Sequence, residues 1–140
     1  MKSNECHTHK LEGWNYVENQ QDIDFILKET GGFHDTVLKD LNYVSGSYVN
    51  GKKSMYCINS IRQVTMRFDS QICSSIEMVF EGVIALNLRP HSDNYTSEIH
   101  DASLLLQNGI IFFADSRDGI TRAYDGTWIE AHGLRWKFCD

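Results

Sequence analysis

The stretch Leu104-Leu-Leu-Gln-Asn-Gly-Ile-Ile-Phe-Phe113 leaves this chain little freedom of fold. Asn-Gly best tolerates the two left-handed residues of a type I′ turn, and that turn matches the natural twist of paired strands. A two-residue turn at Asn108-Gly109 pairs Gln107 with Ile110, Leu106 with Ile111, Leu105 with Phe112 and Leu104 with Phe113. Leu104, Leu106, Ile111 and Phe113 then share one face, and Leu105, Ile110 and Phe112 the other. Both faces are apolar. The hairpin is therefore expected to be covered twice, by a helix on one side and a second layer of sheet on the other.

The rest of the chain after Thr36 also has the period of a strand. Val64, Met66 and Phe68 alternate with Thr65, Arg67 and Asp69, and positions 76, 78, 80, 84, 86 and 88 are all apolar. Gly82 interrupts that row and suits a bulge or bend. An earlier strand, about Val37 to Val49, is expected to turn through Asn50-Gly51 as a second type I′ hairpin, with its alternation breaking near Gly46. Ile129 to Phe138 supplies a last strand, in which Leu134, Trp136 and Phe138 alternate with Arg135 and Lys137.

Before Thr36 the period is 3.6. Ile23, Ile26 and Leu27 fall at i, i+3 and i+4, Asn19 can cap the start, Asp22 favours the positive end, and Gly31 can provide a left-handed stop. This predicts a helix over Gln20 to Glu29. The fold expected is α+β and mainly antiparallel: a curled meander sheet, sandwich or open barrel, with one N-terminal helix. No β-α-β alternation points to a doubly wound nucleotide fold.

The 140 residues match one domain, 1–140, with residues 1–12 expected as a flexible tail. Thirteen basic and 19 acidic residues give a net charge of −6, which disfavours a phosphate-backbone partner. No apolar run approaches the ~20 residues that span a bilayer, and the start has no apolar signal region. Cys6, Cys57, Cys73 and Cys139 are scattered with no C-x-x-C pair. Free thiols and a cytoplasmic location are expected.

Chemistry has no evident seat. The dipeptides His34-Asp35 and His100-Asp101 lack further metal ligands at set spacing, and adjacent strand residues face opposite ways. Cys6-His7-Thr8-His9 offers thiolate and imidazole but no fourth ligand nearby. The loop Asp115-Ser-Arg-Asp-Gly119, with Asp125-Gly126 after it, lacks the spacing of a calcium loop. Glu77 and Glu81 would stand about 13 Å apart on one strand at ~3.3 Å per residue, too far to work as an acid–base pair. Nucleophile elbow, P-loop and dinucleotide-binding motifs are missing. No metal or other cofactor is expected.

Gly32-Phe33-His34-Asp35, followed by Ser75-Ile-Glu-Met-Val-Phe-Glu-Gly82, resembles small bacterial β-rich proteins with a Phe-His-Asp turn after a first helix. Some of these resemble the immunity proteins of polymorphic-toxin systems. That resemblance runs from about Asp22 to Phe138, brings no catalytic residue, and places His34 and Asp35 at the shared turn. It implies a non-catalytic module that neutralises another, basic, protein. An acidic surface or an open strand edge would make the contact, with a second copy of the chain as the other partner to consider. The competing reading is a ligand-binding or enzymatic β-barrel, with Trp128, Glu130 and His132 lining a cavity.

Overall fold

The computed structural model describes residues 10–57, 61–118 and 121–139. Its one α-helix among these, α1 (Gln20–Thr30), begins where the Asn19 side chain accepts from the Asp22 amide at 2.9 Å. Asp22 in turn accepts from the Glu18 amide at 2.8 Å, which ties the chain entering the helix to its first turn. Gly31 stops the helix in the left-handed region, as its sequence position predicts. Ile23 and Ile26 are fully buried and Leu27 partly so.

Strands β1 (Asn15–Tyr16), β2 (Thr36–Val44), β5 (Gln63–Ser70), β6 (Ser75–Asn87), β7 (Glu98–Ile99), β8 (Ser103–Gln107), β9 (Ile110–Ala114) and β10 (Trp128–Cys139) form one antiparallel sheet. Its order is β7-β2-β5-β6-β10-β9-β8, with β1 added beside β10. The sheet is strongly curled into a half-barrel. The segment Glu98–Gln107 touches both of its margins, pairing with β2 through β7 and with β9 through β8. A short arm, β3 (Tyr48–Val49) and β4 (Met55–Tyr56), stands apart as a two-stranded ribbon.

The Asn108-Gly109 hairpin forms in the predicted register, with both turn residues at positive φ. Leu104, Ile111 and Phe113 enter the main core. The other face differs from the expectation of a second sheet layer. There Phe112 joins Ala114 and Trp128 in a small satellite cluster under Tyr124, and Leu105 is 39% exposed. The covering element is the loop before β10, because the sheet curls inward and leaves its convex side to loops and solvent.

Two further expectations are corrected. The apolar row of β6 is broken at one position: Ile76, Met78 and Phe80 are buried and Leu86 packs on the same core, but Ile84 is 37% exposed. The register with β10 shifts between Glu130 and Ala131, which leaves Ile84 as the extra residue of a bulge just after Gly82 (φ +63). The strand expected from Val37 to Val49 ends at Val44, two residues before left-handed Gly46 (φ +90), and the arm does not turn as type I′. Asn50 and Ser54 instead bracket a three-residue loop in which Lys53, not Gly51, takes the positive φ. The Asn50 side chain accepts from the Lys52 and Ser54 amides at 2.9 and 3.0 Å. That local bond competes with the two-residue turn and wins.

The core closes around Phe33. Its ring lies 5.5 Å from Phe68 on β5 and 5.3 Å from Phe113 on β9, in edge-to-face geometry, and those two rings are 5.8 Å apart. Left-handed Gly31 and Gly32 turn the chain back from the helix, and Phe33 itself sits at φ +62. A non-glycine residue there costs on the order of 1 kcal/mol or more, which full burial of the ring outweighs. The turn is tied to the segment crossing between the margins: the Ala102 amide donates to Gly32 O at 3.0 Å and His34 Nδ1 to His100 O at 2.5 Å.

Phe33→Ala is expected to cost about 3–5 kcal/mol in urea unfolding. Leu105→Ala, on the convex face, should cost less than about 1 kcal/mol. Similar losses from both would show that Phe33 is not the centre of the core.

Candidate functional site: the outer margin of β2

β2 runs along the open side of the half-barrel. β7 pairs only with Thr36 and Val37, and past Val37 this margin has no strand partner among the described residues. Three features follow one another along it: charged residues at its start, a cavity at its middle, and an aromatic arm beyond its end.

At the start, His34, Asp35, Glu98 and Asp101 converge from two segments. His34 Nε2 lies 3.5 Å from Asp35 Oδ2, and Arg117 pairs with Asp101 at 2.5 Å. The hydrogen bond to the His100 carbonyl raises the His34 pKa above its ordinary value, helped by the negative charges of Asp35, Asp101 and Glu98. Both His-Asp dipeptides thus meet at one turn. Among the described residues, no three His, Cys, Asp or Glu side chains are arranged to hold a metal ion, and Cys6-His7-Thr8-His9 lies outside them.

At the middle lies a cavity of about 230 Å³. Its floor is apolar, built by Leu38, Leu41, Met66, Phe68, Ile99 and Phe113. The far wall is polar: Arg89, Tyr95, Asp115 and Thr127. This wall is a staple between three loops. Asp115 accepts from the Tyr95 and Tyr124 hydroxyls, one on each carboxylate oxygen, and its amide donates to Thr127 O at 3.1 Å. Thr127 N donates to the Tyr95 hydroxyl at 3.1 Å, and Arg89 N to Thr127 Oγ1 at 3.0 Å. Burial, and then the bond to Asp115, push both tyrosine pKa values up, so the phenols stay neutral donors. Gly126 leaves room for this arrangement: a Cβ there would run into the Tyr124 ring and displace it. The Arg89 guanidinium stacks 4.3 Å over the Tyr95 ring.

Beyond the end, Tyr48 and Tyr56 stack at 5.0 Å across the arm. Tyr43, Val44, Val49 and Ile61 are exposed as well, and Met55 is 74% exposed. Lys52 and Lys53 stand at the tip.

Trp128, Glu130 and His132 do not border the cavity. Trp128 packs on Phe112 in the satellite cluster and donates its indole N–H to Tyr124 O at 3.0 Å. Glu130 binds Arg122 at 2.6 Å, and His132 is exposed over Gly82. Glu77 and Glu81 are ion-paired with Arg67 and Arg135. Sequence reasoning did not reach Arg89, Tyr95 or Thr127. They lie in turn-rich or loop segments with no periodic pattern, and their partners are 20 to 38 positions away.

His34 offers a pH test. Its pKa is raised on folding, so the stability it contributes is complete below about pH 6.5, the unfolded value, and is lost as pH rises through the folded value. An NMR titration should put its midpoint above 6.5, and Asp35→Asn should lower it. In melts across pH 5.5 to 8.5, His34→Gln should flatten this part of the slope.

Compared with known proteins, this chain matches no family model, no curated protein and no solved structure.

Proposed function

We propose that this chain is a non-catalytic protein-binding module and that its contact surface is the outer margin of β2 with the aromatic arm beyond it. One observation carries the reading: past Val37 the β2 margin has no strand partner among the described residues, and Tyr43 near its end and Tyr48, Met55 and Tyr56 on the arm that follows it in the chain are exposed. Unpaired main-chain groups are a template for a partner strand. Exposed aromatic and Met side chains gathered at one end are what interface anchors look like before the partner arrives. The side chains of the arm are not consumed by the core, since the ribbon lies outside the main sheet.

The proposed partner is a basic protein, neutralised in the manner of an immunity protein. The net charge of −6 would speed the encounter, and Asp35, Glu98 and Asp101 place negative field at the start of the margin. A cytoplasmic setting fits Cys57, Cys73 and Cys139, which are free thiols. No helix among the described residues is long and apolar enough to cross a membrane. The cavity beside β2 favours a second reading, in which a small ligand is the main cargo.

Pull-down from host lysate at low and raised salt separates the two. Wild-type protein should retain a basic partner that weakens with salt, and Tyr48→Ala with Met55→Asp should reduce retention by at least about tenfold. Equal retention by wild type and variant would remove the margin from the interface. A copurifying small molecule with no retained protein would replace the module reading with the ligand one.

A further inference from the structure

The cavity beside β2 is only about 230 Å³, smaller than the roughly 300–1,000 Å³ that encloses a drug-sized ligand. It is large enough for one apolar side chain. Its floor is apolar, of Leu, Ile, Met and Phe side chains, so the body of the occupant is apolar.

The hydrogen-bonding capacity around it decides the head group. Asp115 has both carboxylate oxygens occupied by phenol donors. Asp40 is paired with Arg67 at 3.5 Å and Lys39 with Asp69 at 3.6 Å, both across the sheet towards β5. Arg89 is different. A guanidinium carries five N–H donors, and the one ion pair it makes among the described residues is a loose 3.5 Å contact with Asp125, itself 84% exposed. Its plane is held by the Tyr95 ring and its backbone by Thr127, so the donors are positioned and largely unspent. The wall therefore asks for an acceptor, and a carboxylate matches a guanidinium in charge and in fork geometry.

The third boundary is the β2 margin itself. Leu38 to Leu41 border the cavity where β7 has stopped pairing and a bulge at Lys39 bends the strand, so an extended chain could lie along this margin while its side chain drops into the cavity.

We infer that this cavity takes the C-terminal residue of an extended partner segment, with its apolar side chain on the Leu41–Met66–Phe113 floor and its carboxylate on Arg89. This rests on the reading of the β2 margin as a partner surface and names which part of the partner it holds.

The test uses purified full-length protein with methyl-labelled Leu, Ile and Met, titrated by NMR with acetyl-Thr-Val-Thr-Val-Leu as the free acid and as the C-terminal amide. Hexanoate serves as the small-carboxylate control. The acid should shift the Leu38, Leu41, Met66 and Ile99 methyls and bind at least about tenfold more tightly than the amide. Arg89→Gln should remove that preference, and Leu41→Trp, filling the floor, should weaken both peptides. Because Leu41→Trp could disturb folding, the Arg89→Gln result, at a half-exposed side chain, stands as the independent measure. Equal affinity of acid and amide, or no shift at these methyls, would overturn the inference. Hexanoate binding as tightly as the peptide acid would also overturn it, assigning the cavity to a free small carboxylate. A host partner still retained through the aromatic arm would then leave the binding-module reading intact.

Discussion

The packing of Phe33 between Phe68 and Phe113 is the contact on which the rest of the molecule depends. A half-barrel sheet that stayed empty would expose the inner faces of β5, β6, β9 and β10 at once. One ring, delivered by the turn after α1, touches opposite walls and gives them a common centre. The cost is a left-handed Phe33 following two left-handed glycines, and the gain is the burial of three aromatic rings in edge-to-face contact. The helix then rests where Ile23 and Ile26 complete the same core.

That centre also explains why the candidate site lies where it does. The Gly32 and His34 bonds to Ala102 and His100 pin the crossing segment after Ile99. β7 is thereby limited to a two-residue pairing at the start of β2, and the remainder of that margin stays open. The cavity forms in the space between this margin and the Tyr95–Asp115–Tyr124 staple, with two of the three central rings, Phe68 and Phe113, in its floor. Core and site therefore share atoms. A change that loosens the aromatic centre would alter the cavity as well as the stability.

Charge acts at a different level. Most ion pairs here are exposed, such as Arg67–Asp40 and Arg117–Asp101, and contribute little to stability. Their arrangement still matters for encounter, since Asp35, Glu98 and Asp101 concentrate negative potential at one end of the margin while Lys52 and Lys53 mark the tip of the arm.

Local chemistry was legible in the sequence. The helix over Gln20–Thr30, its Asn19 and Gly31 ends, the Asn108-Gly109 register and the alternation of Val64, Met66 and Phe68 each depend on neighbours within a few positions. The failures came where a competing contact, local in one case and distant in the other, overrode the simple pattern. Asn50-Gly51 reads as a type I′ turn, yet the Asn50 side chain caps a three-residue loop instead. The row from Ile76 to Leu88 reads as one face, yet the bulge shared with β10 turns Ile84 out of it while Leu86 returns to the core. His34-Asp35 was recognisable as a turn, but its meeting with His100 and Glu98 was not. Arg89, Tyr95, Asp115 and Thr127 became one wall only when the sheet curled. The sequence determined which segments would be helix and strand, because those choices are made by periodicity and capping over short range. Tertiary structure alone decided which margin stayed open and what lined it, because these follow from packing between residues far apart along the chain.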